Sequence, residues 1–205
     1  MAGGVPIVYR GGGSGVIASY DYFDWASGTG YKIFYAGGCK DSAGTANFLT
    51  DRQIDSSFDD GAGFQTITTE TDVENNFDLT FNQPAYISGT AVINWTMRVS
   101  GTGGADLDVT IYHVSGVTET SLGTATSFSR THAAEKYYRE CLIIPLTSKG
   151  FAVGDKLRVE CKFTQGTAGQ TATYWFADRY TVVESASGAT VNGSFEVHIP
   201  FRIDL

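Results

Sequence analysis

The stretch from Phe195 to Leu205 constrains this chain more than any other. Its odd positions are Phe195, Val197, Ile199, Phe201, Ile203 and Leu205, and its even positions are Glu196, His198, Pro200, Arg202 and Asp204. Successive side chains of a strand point to opposite faces, so this alternation predicts a ribbon with one apolar and one polar side. An apolar strand face is stable only when a second layer covers it. The expectation is a sandwich in which this last ribbon completes a sheet.

The same period-2 signal recurs upstream. Phe64 to Thr71 is rich in Thr and Ile. Phe77, Leu79 and Phe81 alternate with Asp78 and Thr80, and Pro84 closes that run. Ala91, Ile93, Trp95, Met97 and Val99 alternate with Asn94, Thr96 and Arg98. Gly101-Thr102-Gly103-Gly104 is expected as a turn before Leu107, Val109 and Ile111. A Thr/Ser-rich strand follows from about Glu119 to Ser129, and Ala133-Ala134-Glu135-Lys136 reads as a short helical turn or a loop. Tyr138, Glu140, Leu142, Ile144 and Leu146 lead toward Gly150. Leu157, Val159, Cys161 and Phe163 form another strand, and Tyr174 to Val183 is one aromatic strand. No helical period of useful length appears. Short strands at regular spacing with Gly-rich turns predict an all-β fold: an antiparallel jelly-roll-like β-sandwich of about eight strands with an extended N-terminal arm.

Residues 1–60 read differently from residues 61–205. The opening MAGGVPIVYRGGGSG is glycine-rich, and such an arm is expected to be held by a neighbouring subunit. Tyr20, Tyr22, Phe23, Trp25 and Tyr31 then form an aromatic cluster of the kind favoured at interfaces. Residues 36 to 63 read as loops. The domain reading is therefore an arm with an aromatic-rich loop region over 1–60 and the sandwich over 61–205. Interface contact is expected from Val8, Tyr9, Tyr20, Tyr22, Phe23, Trp25 and Tyr31.

Charge narrows the partners. Acids outnumber bases 22 to 14, for a net charge of −8. A chain that neutralises phosphates needs the opposite balance, so direct nucleic-acid binding is not expected. No apolar run reaches membrane-spanning length, and no export signal is visible, so a reducing cytosol is the expected compartment, at least at first. Cys39, Cys141 and Cys161 are an odd set and read as small buried residues rather than a disulfide framework.

Candidate chemistry is sparse. Gly13-Ser14-Gly15-Val16-Ile17-Ala18 matches a dinucleotide fingerprint without the strand, helix and later acid that the motif requires. His113, His132 and His198 fall on separate elements, with no spacing for a triad or a zinc site, and are read as structural, His198 as solvated or at an interface. Asp59-Asp60-Gly61 and the Asp106/Asp108 pair lack the order of a calcium loop. Glu70, Asp72 and Glu74 read as an acidic turn rather than a carboxylate pair working across a cleft. No catalytic residue, no metal and no cofactor are assigned, and the chain is expected not to be an enzyme.

Several segments carry a resemblance. They are Ile17-Ala18-Ser19-Tyr20-Asp21-Tyr22, Tyr31 to Gly38, and the ending His198-Ile199-Pro200-Phe201-Arg202-Ile203-Asp204-Leu205. Together they resemble small virion structural proteins of tailed bacteriophages. Leu142-Ile143-Ile144-Pro145-Leu146, with Phe151 to Arg158 after it, also resembles the strand-turn-strand phrase of viral and TNF-like jelly rolls, in which a Gly-Asp pair makes the turn and the next strand begins with Leu. The resemblance implies a capsid decoration (cement) protein in the virion, seated as a homotrimer on a major capsid protein. A tail, baseplate or fibre protein is the alternative. A carbohydrate-binding module is the second alternative, with Trp25, Trp95, Tyr112 and Trp175 as candidate sugar platforms.

Overall fold

A computed structural model describes residues 29–41, 44–50, 64–67, 73–127, 130–165, 171–175, 180–183, 190–193 and 195–202. Among them there is no helix. The strands are β1 (Thr29–Asp41), β2 (Gly44–Thr50), β3 (Phe64–Ile67), β4 (Val73–Thr80), β5 (Ala85–Ser115), β6 (Thr118–Thr126), β7 (Arg130–Phe151), β8 (Lys156–Gln165), β9 (Thr171–Trp175), β10 (Tyr180–Val183), β11 (Thr190–Gly193) and β12 (Phe195–Arg202). Ten of them hydrogen-bond into one sheet, and β10 and β11 form a separate hairpin.

β5 makes the sheet two-layered. From Ile87 to Trp95 it lies between β7 and β12, and from Thr96 β9 takes the place of β12. From Asp108 to Val114 it lies between β6 and β8. The near layer therefore runs β7-β5-β12-β1-β2, and the far layer β4-β8-β5-β6. The pairings are antiparallel, apart from one parallel bridge between Phe48 of β2 and Asp78 of β4. The core lies between the layers. Phe34, Ile87, Ile93, Trp95, Phe195, Val197 and Ile199 of the near layer meet Phe77, Leu107, Val109, Ile111, Leu157 and Val159 of the far layer. Phe77 stacks on Phe195 with ring centroids 5.7 Å apart, which ties the layers face to face. Each such side chain contributes about 1.5–3 kcal/mol through its removal from water.

The terminal ribbon folds as its alternation predicts. Phe195, Val197 and Ile199 point into the core, while Glu196 and His198 lie on the outer face. The register against β5 slips between His198 and Phe201, where Pro200 offers no N–H to the ladder and is itself buried. Gly89 faces that slip with φ of +125°, and a Cβ there would lie 3.3 Å from Pro200 Cβ. The Gly154-Asp155 turn also forms as read, with Gly154 at φ +89° and β8 starting at Lys156.

Four local readings are corrected. Gly101 to Gly104 does not reverse the chain, because β5 runs on through them with register slips. Three glycines in four residues let the backbone bend there, so the strand crosses from one layer to the other. Residues 36–41 and 44–50, read as loop, are strand: β1 and β2 pair from Tyr35↔Thr50 to Asp41↔Gly44 by backbone bonds that need no apolar pattern. These strands join the same sheet as the elements beyond residue 60. Ala133 to Lys136 belong to β7, where pairing with β5 overrides helical propensity. The single strand expected over 174–183 is two, β9 pairing with β5 and β3, and β10 with β11. Among the described residues ten strands lie beyond residue 60, where about eight were expected.

Candidate functional site

Of the expected interface residues, Val8, Tyr9, Tyr20, Tyr22, Phe23 and Trp25 lie outside the described residues, as do the side chains of Cys39, His132 and Trp175. Tyr31 is in β1, half-buried, and its hydroxyl donates to the Thr90 carbonyl at 2.9 Å. That bond carries the ring from β1 across β12 to β5 and places it on the outer face of the near layer, where several other residues converge.

The pairing registers define that face. Ile143 of β7 lies opposite Val92 of β5, Val92 opposite His198 of β12, and His198 opposite Ile33 of β1. One transverse row thus reads Ile143, Val92, His198, Ile33. Ile143 is 64% exposed and Ile33 36%. The adjoining row is Cys141, Asn94, Glu196 and Tyr35. His198 Nε2 lies 3.5 Å from both Asn94 Nδ2 and Glu196 Oε2, so the polar groups of the face are neighbours of one another. Pro145 and Thr90 border the other side of the row. Alternation along β12 alone assigns its even positions to a polar face. The structure shows that its neighbours on β1, β5 and β7 add Ile33, Val92 and Ile143 to that face, beside His198, Asn94 and Glu196.

The outer face of the far layer is the opposite in character. Its rows read Asp78, Arg158, Tyr112, Ser121, then Asn76, Glu160, Thr110, Thr124, then Glu74, Lys162, Asp108, Thr126. Arg158 grips Asp78 through Nε at 2.7 Å and Nη2 at 2.8 Å, and its Nη1 donates to Glu119. This bidentate bond holds the Asp78 carboxyl below its usual range and raises the guanidinium. Glu160 is pushed up by burial and by repulsion from Glu74, and accepts a hydrogen bond from the Tyr112 hydroxyl at 3.3 Å. Burial and the adjacent Glu160 carboxyl push the Tyr112 phenol up in turn. Trp95, one of the candidate sugar platforms, is in the core at 1% exposure.

One end of the sandwich is held by a single carboxylate. Asp155 Oδ2 accepts from His113 Nε2 and from the Ala152 N–H, each at 2.8 Å. Its backbone carbonyl accepts from the Phe81 N–H at 2.9 Å, and Gly154 N–H donates back to the Phe81 carbonyl at 2.9 Å. The His113 bond leads the effects that lower this carboxyl to about 2. His113 is therefore structural, buried against the Phe151 ring with centroids 4.7 Å apart. Among the described residues, no three His, Cys, Asp or Glu side chains come together as a metal site. Cys161 is buried, which pushes its thiol up, but Cys141, also expected inside, faces outward because it alternates with Leu142.

No family model matches the sequence, and no curated protein matches it either. Solved structures do match the fold, which defines the chain as a β-sandwich of a kind found within larger proteins. An alpha-amino acid ester hydrolase superposes with TM-score 0.58 at 12% identity, over 83% of this chain and 36% of that one. A CocE/NonD family hydrolase from Staphylococcus aureus superposes with TM-score 0.51 at 10% identity, over 85% of this chain and 37% of that one. The chain thus spans little more than a third of the hydrolases it matches. Infectious bursal disease virus VP2 overlaps 69% of this chain at 16% identity, and a family 16 carbohydrate-binding module 72% at 8%. Their TM-scores of 0.25 and 0.27, over 37% and 87% of those chains, are too low to bear on the fold. The comparisons identify no tailed-phage family. The expectation that the chain is not an enzyme is overturned, because the folds that match at TM-scores above 0.5 belong to hydrolases.

Proposed function

We propose that this chain is a virion assembly module, a capsid decoration protein that seats the outer face of its β7-β5-β12-β1 layer on the major capsid protein, among copies of itself. The observation that carries the reading is the contrast between the two outer faces. One holds the row Ile143, Val92, His198, Ile33, while the other is built of charged and hydroxyl side chains. A sheet face that bears isoleucines at 64% and 36% exposure is suited to being covered. The polar face, with the chain's net charge of −8, is suited to solvent.

Area refines the reading. Four strands about 4.8 Å apart and three rows about 7 Å apart cover about 400 Å². Both partners together would bury about 800 Å², half of what a stable stand-alone interface buries. A face of that size serves as one contact among several, as on a shell where copies and contacts repeat.

The test is co-sedimentation of the full-length chain with heads of the parent phage stripped of it. Ile143→Asp and Ile33→Asp are each expected to weaken binding at least tenfold while leaving the unfolding temperature unchanged. Wild-type protein that fails to bind heads, or variants that bind as wild type does, would overturn the proposal.

A further inference from the structure

We infer that the end of the sandwich bearing the β5–β6 and β7–β8 turns is a self-association surface, on which Val117 of one copy packs against Val153 of the other. The inference stands apart from the sheet-face seat. Four large apolar side chains are exposed among the described residues, and two of them, Ile33 and Ile143, belong to that seat. The other two are Val117 at 99% exposure and Val153 at 63%, each at the tip of a tight turn.

Both turns are at the same end. Val114 of β5 pairs with Glu119 of β6 on one side and with Lys156 of β8 on the other. The Asp155 carboxylate, which caps the Val153 turn through the Ala152 N–H, also holds His113 of β5, just before the Val117 hairpin. Gly154 and Asp155 are tied in turn to the backbone of Phe81. The two valines are therefore presented on turns fixed by backbone and carboxylate bonds, and little loop ordering remains to be done on contact.

Charge selects the partner and its orientation. Val117 is flanked by Glu119, whose side chain pairs with Arg158 and stays 41% exposed, and Val153 by Asp155, which is held by His113, and by Lys156, which pairs with Asp78 at 3.4 Å and stays 43% exposed. Neighbouring strands place Glu119 and Lys156 on opposite sides of β5, about 10 Å apart. Val117 against Val117 would bring Glu119 toward Glu119. Val117 against Val153 brings Glu119 of one copy toward Lys156 of the other, and because both turns lie at one end the contact is reciprocal, so the favoured occupant is a second copy related by a two-fold axis. Such a contact closes as a dimer.

Sedimentation of the full-length chain over a concentration series tests this. Wild type is expected to associate reversibly. Val117→Lys faces the partner's Lys156, and Val153→Asp faces the partner's Glu119, so each variant alone is expected to dissociate at least tenfold more readily. Mixing the two restores association, because one junction is wild type and the other pairs Lys with Asp. Val117→Ser and Val153→Ser, which add no charge, are expected to weaken association as well, and unchanged unfolding temperatures show that all four variants fold. Ile143→Asp is expected to associate as wild type does, which separates this surface from the head-binding seat. A wild-type chain that stays monomeric at every concentration, single variants that associate normally, or a mixture that stays monomeric would each overturn the inference.

Discussion

Gly123 of β6 closes one side of the sandwich, and replacing it by alanine tests how tightly. A Cβ at this position would lie 2.5 Å from the Pro145 carbonyl oxygen, 2.9 Å from Ile144 Cγ2 and 3.3 Å from Leu146 Cδ2. The first distance is about 0.9 Å inside ordinary contact, and its partner is backbone, which cannot rotate away. β6 belongs to the far layer and β7 to the near one, so relief requires the two layers to part at this edge. Overpacking of this kind costs about 1–3 kcal/mol, offset by about 0.4–1 kcal/mol because alanine restricts the unfolded chain. Midpoints of about 2 and about 0.7 kcal/mol leave a net loss for Gly123→Ala of about 1.3 kcal/mol. For a chain of this size that lowers the unfolding temperature by about 3–5 °C. Gly116→Ala is the control: nothing lies within 4 Å of its Cβ, and only the backbone at φ +60° resists, at about 1 kcal/mol. Calorimetry on both variants reads the difference. Because Pro145 borders the Ile143 row, Gly123→Ala also displaces that edge of the seat and weakens head binding. Gly123→Ala unfolding within about 0.5 kcal/mol of wild type, a surface-like effect, would refute the close approach of β6 and β7.

The titrating groups give opposite signs. Asp155 is lowered to about 2 from its ordinary value of 3.8, so its contribution is present above about 4 and is lost as pH falls toward 2. Asp155→Asn should flatten the acid limb of a urea-denaturation series over that window. Glu160 is raised, so its ionised form destabilises the fold, and Glu160→Gln should stabilise at neutral pH with a gain that fades on acidification. Trp95 is buried, and its indole N–H finds no acceptor among the described residues. Trp95→Phe should therefore cost less than Trp95→Ala, for which about 3–5 kcal/mol is expected by chemical denaturation. Cys141 on the candidate face should react with iodoacetamide in the free protein and be protected on heads, while Cys161 reacts only after unfolding. Deleting residues 2–15 should weaken head binding and leave the domain folded, as measured by co-sedimentation and circular dichroism.

The class of fold and the inward face of its strands were legible in the order of residues. Phe195, Val197 and Ile199 on β12 alternate with polar neighbours, as do Ile93 and Trp95 on β5, and Ala91 is buried beside them on the same face. A pleated strand can bury only every second residue, and that rule is local. The Gly154-Asp155 turn was anticipated through the resemblance of this segment to a jelly-roll phrase, and the positive φ at Gly154 is the physical reason a glycine stands there.

Long-range packing settled the rest. Nothing in Gly101 to Gly104 says whether the chain reverses or bends, because glycine permits both, and the pairings of β5 with five other strands decide it. Alternation puts His198 on the outer face, and what stands beside it there is likewise decided elsewhere in the chain. Alternation assigns a residue to a face, but the character of that face depends on which strands lie alongside, and Ile143, Val92 and Ile33 are far from His198 in sequence. The Asp155 bond to His113 and the contact of Gly123 with Pro145 likewise join residues that only the folded chain brings together. Side-chain period is a property of one strand, whereas a site on a sheet belongs to several, and their order is fixed by the packing of the whole.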